Sequence, residues 1–229
     1  MAIQYKSIVP WGRSFDEYTR MFDLTASELN LRILGCGDGP ASFNVECNRR
    51  GGRVTSVDPL YRFSRDAIEQ RIAETYEEVL RQTCANQDKF IWNTIPSLED
   101  LGSIRMEAMR CFLASYDDGR ARGIYLPGEL PDLPFADRTF DLALSSHFLF
   151  LYTDNLTFEF HVSAIREMLR VAHEVRIFPI LDANARESRY LNGVLETFQK
   201  YKPEIRTVDY EFQRGGNRML TLRNDRDAI

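Results

Sequence analysis

Three glycines alternate in the run Ile33-Leu34-Gly35-Cys36-Gly37-Asp38-Gly39-Pro40, between a short apolar stretch that reads as a strand and a segment that reads as a helix. Glycine lets the backbone approach a ligand without a Cβ collision, and a helix start offers unpaired N–H groups to an electron-rich partner. The spacing therefore points to a nucleotide-like ligand at a strand–helix turn; the alternative is a tight turn whose glycines serve geometry alone. A dinucleotide fingerprint, G-x-G-x-x-G, would need its third glycine at position 40, where this chain has Pro40. Proline suits a first helical position, where its missing N–H is not needed. Asp58, followed by Pro59, closes the next predicted strand. A carboxylate there accepts both ribose hydroxyls of an adenosine, in NAD as elsewhere, so it supports the fold rather than the choice of cofactor. The alternative for Asp58 is a cap on the following turn.

These residues need a scaffold, and the hydrophobic pattern supplies one. Strand and helix signals alternate, which predicts an α/β fold with a mostly parallel sheet. Strands are expected near Leu31 to Leu34, Arg53 to Val57, Gly123 to Leu126, Phe140 to Ser145 and Glu174 to Ile180. Helices are expected at Pro40 to Arg50, Phe158 to Ala172 and Ser188 to Tyr201. Gly51-Gly52 ends the first of these as a left-handed turn would. The stretch from Ser64 to Arg120 is too long for one crossover. Ile68, Ile72, Tyr76, Val79 and Leu80 share one helical face, as do Leu101, Ile104, Ala108, Phe112 and Leu113 after Ser97 as N-cap. A helical insert or cap over 64–120 is the expectation, with Trp92 and Pro96 at its middle turn. The end reads as a hairpin, Ile205 to Phe212 and Arg218 to Arg223, turned at Arg214-Gly215-Gly216-Asn217.

With 229 residues, 44% hydrophobic and 28% charged, the chain can bury one core, and a single domain over 1–229 is expected, with an N-terminal arm over 1–30. A net charge of −5 lacks the basic surplus of nucleic-acid binders. No apolar run of about 18 residues suggests a membrane span, and Met1 to Pro10 lacks the pattern of a secretory signal. Cys36, Cys47, Cys84 and Cys111 have no metal-ligand spacing and do not cluster with His147, His161 and His173. Four reduced thiols in a cytoplasmic protein, without a metal, are expected.

One further segment bears on the cofactor. Gly128-Glu129-Leu130-Pro131-Asp132-Leu133-Pro134-Phe135 leads into Phe140-Asp141-Leu142 at the start of the fourth predicted strand. Together with Gly35, Gly37 and Gly39, this resembles the motifs of class I S-adenosylmethionine-dependent methyltransferases, over about Leu31 to Ile180. Val9-Pro10-Trp11-Gly12-Arg13-Ser14, Gly39-Pro40-Ala41-Ser42-Phe43-Asn44, Ser146-His147-Phe148-Leu149-Phe150 and Tyr210-Glu211-Phe212-Gln213-Arg214-Gly215-Gly216-Asn217 are similar to a group of bacterial methyltransferase-like proteins. The resemblance implies a Rossmann-like, seven-stranded, mostly parallel sheet with an antiparallel C-terminal hairpin. It implies S-adenosylmethionine as cofactor, held by Gly35, Cys36, Gly37, Gly39, Asp58, Pro59 and Ser145, with Glu129 accepting from the adenine amino group and Leu130 beside the ring. The family usually carries Asp or Glu two residues before the first glycine, where this chain has Ile33.

The arm precedes the glycine turn, as do segments that fold over the cofactor in this fold. Arg13 is a candidate for the methionine carboxylate and Trp11 for the sulfonium; the alternative is an arm with Arg13 in solvent and Trp11 plugging a groove. Strand four ends at Ser145-Ser146-His147, and His147 is the candidate general base for a small-molecule acceptor, or a histidine that shapes the pocket. His161 and His173 are expected to be ordinary helix residues. Tyr61, Phe63 and the insert are candidates for an acceptor lid, and Phe148, Phe150 and Tyr152 for packing. Two other functions stay open: a cofactor-binding module without catalysis, which Ile33 favours, and an NAD-dependent oxidoreductase, against which Pro40 and the Leu-Pro-Phe segment speak.

Overall fold

The computed structural model describes residues 9–224; residues 1–8 and 225–229, and with them the beginning of the expected arm, lie outside the described residues. Among the described residues, seven strands form one sheet: β1 (Arg32–Cys36), β2 (Arg53–Val57), β3 (Tyr125–Leu126), β4 (Phe140–Ser146), β5 (Ala172–Phe178), β6 (Glu204–Thr207) and β7 (Arg218–Arg223). Their order is β3-β2-β1-β4-β5-β7-β6. The first five pair in parallel, and β7 lies antiparallel between β5 and β6. This is the Rossmann-like sheet that the class I methyltransferase resemblance implies. Its central strands are buried almost throughout because helices cover both faces.

Among the described residues six α-helices do the covering: α1 (Phe15–Met21), α2 (Phe43–Arg49), α3 (Arg65–Cys84), α4 (Leu98–Ala121), α5 (Phe158–Val171) and α6 (Leu191–Thr197). On one face Ile165, Met168 and Leu169 of α5 pack with Leu34, Ala143, Val175 and Leu220 of the sheet. On the other, Phe15, Tyr18, Phe22 and Phe43 pack with Ile33, Leu142 and Phe178. A third cluster joins Ile68 and Ile72 of α3 to Phe112 and Tyr116 of α4 around Tyr61 and Tyr125. The expected insert is thus two helices, each opened by a serine. Ser64 accepts from the Ala67 N–H (3.3 Å) and Ser97 from the Asp100 N–H (3.0 Å), which satisfies one orphan donor at each helix start.

Several expectations need correction. α2 begins at Phe43, not Pro40. The Ser42 N–H donates to the Arg13 carbonyl at 2.9 Å, so the residues ahead of α2 are tied to the arm, and Pro40 stays in the turn. The terminal hairpin is not built on a short Gly-Gly turn: β6 stops at Thr207, and residues 208–217 form a long excursion. Side chains there find better partners elsewhere, since Phe212 stacks on Phe90 at 4.9 Å and Gln213 donates to the Asp182 carbonyl at 2.8 Å. His173 belongs to β5 rather than a helix. Tyr61 is no lid: it is 1% exposed, and its hydroxyl donates to the Gly39 carbonyl at 2.7 Å. Of the aromatic run, Phe150 is core, while Phe148 and Tyr152 line the cavity described next.

Candidate functional site

A cavity of about 740 Å³ opens where β1 and β4 part, at the carboxyl ends of the strands. Open α/β sheets bind ligands there because the connections leave the sheet on opposite sides. The volume falls in the range of small-molecule pockets, roughly 300–1,000 Å³. Trp11 and Arg13 from the arm, Cys36, Gly37 and Gly39 from the turn, Asp58-Pro59, Glu129-Leu130 and His147 all line it. Gly35 and Ser145 do not. Ser145 is fully buried and its hydroxyl has no partner, and the serine at the wall is its neighbour Ser146.

The glycines have separate reasons. Gly37 (φ +71°) and Gly39 (φ +53°) adopt left-handed backbone, which β-carbons disfavour. Gly35 instead makes room: a Cβ there would lie 1.7 Å from Asp38 Oδ2. The turn is then fastened by Asp58, which accepts the Gly39 N–H (2.8 Å) and the Leu60 N–H (2.7 Å) on its two oxygens. Asp58 thus caps the turn after β2 and also faces the cavity. Burial raises its carboxyl above the usual value, against the lowering effect of those two N–H groups. Glu129 is exposed at the cavity mouth and pairs with Arg62 at 3.0 Å. Leu130 is buried beneath it.

The opposite end is assembled from distant segments. Arg13 donates from Nη1 to the Trp11 carbonyl (3.2 Å), while its buried Nε has no partner. Trp11 packs against Tyr76 of α3 with ring centroids 5.7 Å apart. Beside the arm, Glu17 of α1 and Arg105 of α4 form an ion pair, 8% and 1% exposed. Tyr210 donates to Glu17 at 2.7 Å from the β6–β7 excursion. Burial alone would raise the Glu17 carboxyl, and the Arg105 guanidinium more than reverses this, to about 2. Three elements distant in sequence are therefore locked together over the turn. Asp38 is buried in the wall, accepting from Tyr18 Oη (2.9 Å) and Ser56 Oγ (2.6 Å). Burial raises its carboxyl to about 6 although both hydroxyls oppose the rise.

His147 sits just past β4 in left-handed backbone, φ +50°. Such a conformation in a non-glycine residue persists only where surroundings impose it, often at functional sites. Its N–H donates to the Phe178 carbonyl at 2.6 Å, and Nδ1 lies 2.9 Å from Ser146 Oγ. Burial, with the charges of Arg13 and Arg105, lowers the imidazole well below its ordinary 6.5. The ring is thus neutral at neutral pH and a weaker base than its residue type suggests.

Sequence reasoning missed Glu17, Tyr18, Ser56 and Arg105, and passed over Asp38 and Tyr210 within the motifs it singled out. Arg105 did leave a signal: it occupies the same helical face as Leu101, Ala108 and Phe112, where a lone arginine needs a buried partner. Two walls of the cavity are apolar and aromatic, with Phe148, Leu151, Tyr152, Leu156 and Phe160 on one side and Phe63, Ala67 and Ile68 on the other. Phe63 is 56% exposed at the rim. Among the described residues no group of three or more His, Cys, Asp or Glu is arranged to hold a metal, and no helix is long and apolar enough to cross a membrane.

Over 224 residues the chain is 35% identical to the uncharacterized protein MJ0045 of Methanocaldococcus jannaschii, covering 96% of this chain and 98% of that one. Among solved structures it is similar to a putative S-adenosyl-L-methionine-dependent methyltransferase of Methanococcus maripaludis, with a TM-score of 0.47 and 12% identity over 94% of this chain and 85% of that one. A SAM-dependent methyltransferase of Aquifex aeolicus gives a TM-score of 0.41 and 12% identity over 90% of each chain. No family model matches.

Proposed function

We propose that this chain, which belongs to the same family as the Methanocaldococcus jannaschii protein MJ0045, binds S-adenosylmethionine in the cavity and transfers its methyl group to a small-molecule acceptor. The observation that carries this is convergence: the glycine turn, Asp58, Glu129, Arg13 and His147, up to 134 residues apart by number, meet in one cavity at the sheet's switch point. The donor set fits the cofactor. Asp58 offers carboxylate lone pairs for ribose hydroxyls beyond the two N–H groups it already accepts. Arg13 keeps an unpartnered Nε for an anion.

When bound, the cofactor supplies a methyl group on a positively charged sulfur. The protein's part is to hold acceptor and sulfur in line and to keep water out, which accounts for most of the acceleration in such transfers. The apolar walls around Phe148, Tyr152 and Phe160 are the seat for the acceptor's body. In the tautomer where Nδ1 donates to Ser146 Oγ, Nε2 of His147 is the site that takes the acceptor's proton. α3 contributes Ala67, Ile68 and Gln70 to the wall, so this helix of the pair caps the cavity, within one domain. The four cysteines are free thiols, which suits a reducing cytoplasmic compartment.

A second function is favoured by Ile33, which is fully buried in the apolar cluster under β1 and brings no charge to the cofactor. A protein that binds the cofactor without catalysis would bind it and turn over no acceptor. Isothermal titration with S-adenosylhomocysteine, against NAD, tests the cofactor directly. Micromolar binding of the first alone is expected; binding of NAD instead, or of neither, overturns the proposal.

A further inference from the structure

Charged and apolar residues are segregated in the cavity lining. Arg13 comes from the arm, Asp38 from the glycine turn and Asp58 from the end of β2. The other charges in the lining are exposed and already paired: Glu129 with Arg62 at 3.0 Å, and Glu74 with Arg71 at 3.5 Å. Glu74 also accepts from Gln70 Nε2 at 2.9 Å. Ala67, Gln70, Arg71 and Glu74 are spaced three and four apart, so a single face of α3 lines the cavity. The connection from β4 to α5 brings Leu151 and Leu156, and α5 brings Phe160, all half-buried, while Asp154 and Glu159 of the same stretch are exposed and outside the lining. Phe63 is the large apolar side chain that stays exposed among the described residues, and it stands at the rim. Its backbone is fixed: the N–H donates to the Leu60 carbonyl at 3.1 Å, and the carbonyl accepts from Tyr116 Oη at 2.9 Å.

We infer that the acceptor is a neutral molecule with an apolar body, seated against the β4–α5 stretch and the lining face of α3, and that Phe63 covers it and sets its specificity. This rests on the proposed methyl transfer and names its substrate class. A charged acceptor would give up its water among Leu151, Leu156 and Phe160 with no countercharge to meet it, which is costly. The ion pairs on α3 and at Glu129 have satisfied one another and offer no net charge. His147, neutral because burial and two arginines lower its affinity for protons, adds none. An apolar body gains in proportion to the surface it removes from water. Phe63 leaves its own ring in water in the empty cavity, so its contact contributes to holding the acceptor rather than to folding. An exposed aromatic on a fixed backbone is ready for that contact without further ordering.

The test compares two fluorescent probes that share one ring system. N-phenyl-1-naphthylamine is neutral and apolar; 8-anilinonaphthalene-1-sulfonate adds a negative charge. Both are titrated into the full chain, with and without saturating S-adenosylhomocysteine, and into Phe63→Ala and Leu156→Ala. The neutral probe is expected to bind at a single site, about tenfold or more tighter than the sulfonate, and S-adenosylhomocysteine should change its affinity by less than about threefold. Each variant should weaken the neutral probe by about tenfold and keep S-adenosylhomocysteine within about threefold. Retained S-adenosylhomocysteine binding, or an unchanged thermal midpoint, reports that the variant is folded. The inference is overturned by absent binding of the neutral probe, by equal or tighter binding of the sulfonate, or by unchanged affinity in Phe63→Ala. Displacement of the probe by S-adenosylhomocysteine also overturns it, because the apolar walls would then belong to the cofactor. If the neutral probe behaves as expected and S-adenosylhomocysteine does not bind, the cofactor is withdrawn and the apolar seat stands.

Discussion

Glu17 and Asp38 are carboxylates of equal burial, 8% exposed each, yet they sit in opposite electrostatic regimes. Glu17 belongs to a lock between α1, α4 and the β6–β7 excursion, where Arg105 and Tyr210 hold its charge in place. Asp38 belongs to the glycine turn, where only hydroxyls meet it. The first carboxyl is held at about 2 and the second is pushed up to about 6. The difference teaches that burial alone does not decide a group's role. A compensated charge ties elements together, whereas an uncompensated one is held in place at a cost in stability.

The strongest way to break the comparison is Glu17→Ala. It leaves the Arg105 guanidinium buried and unpaired, so a loss of about 3–5 kcal/mol is expected in denaturant unfolding. In the unsubstituted chain the Glu17 contribution is present above its ordinary 4.5 and fades as pH falls toward about 2. A loss below about 1 kcal/mol would show that the pair is no lock. Asp38→Asn should do the reverse. With its carboxyl raised from 3.8 to about 6, Asp38 favours the fold fully below about pH 4, and that favour is lost as pH rises through 6. Removing the charge should therefore stabilise the protein at pH 8, by on the order of 3 kcal/mol. A pH-independent stability difference between the two proteins would place the Asp38 carboxyl in ordinary surroundings.

His147 sharpens the comparison on the side of chemistry, because Arg13 and Arg105 both lower its affinity for protons. His147→Ala should reduce turnover about a hundredfold with S-adenosylhomocysteine affinity little changed. The pH profile of turnover should be flat through 6.5, since the imidazole is already neutral there. Collapse of cofactor affinity with turnover intact at saturation would make the residue a structural wall. The smallest expected effect is at the Asp58 end of the cavity, where Asp58→Ala should weaken S-adenosylhomocysteine by about tenfold, or about 1.4 kcal/mol. An unchanged dissociation constant would leave Asp58 with its turn-capping role alone.

The two ends of the cavity were unequally legible before the fold was known. Gly37, Gly39, Asp58 and the Glu129-Leu130 pair lie where a strand ends, and strand ends are marked locally by apolar runs that stop at glycine, proline or a carboxylate. The sheet was legible for the same reason: β2 and β7 fall where periodicity puts them. The helix expected to start at Pro40 starts at Phe43 because the Arg13 carbonyl, far outside any local window, takes the Ser42 N–H. The hairpin signal at Gly215-Gly216 misled for a related reason, since Phe212 and Gln213 are claimed by Phe90 and Asp182.

By itself, the sequence determined the alternation of elements, the parallel core of the sheet and the glycine turn at the end of β1, because each depends on residues within about one element's length. Only the tertiary structure decided that Arg13 comes into the cavity wall, that Arg105 is buried against Glu17, and that Asp38 is left without a cation. Charges and hydrogen bonds act through space, and their magnitude is set by burial. Neither partner nor burial is written at the position of the residue itself.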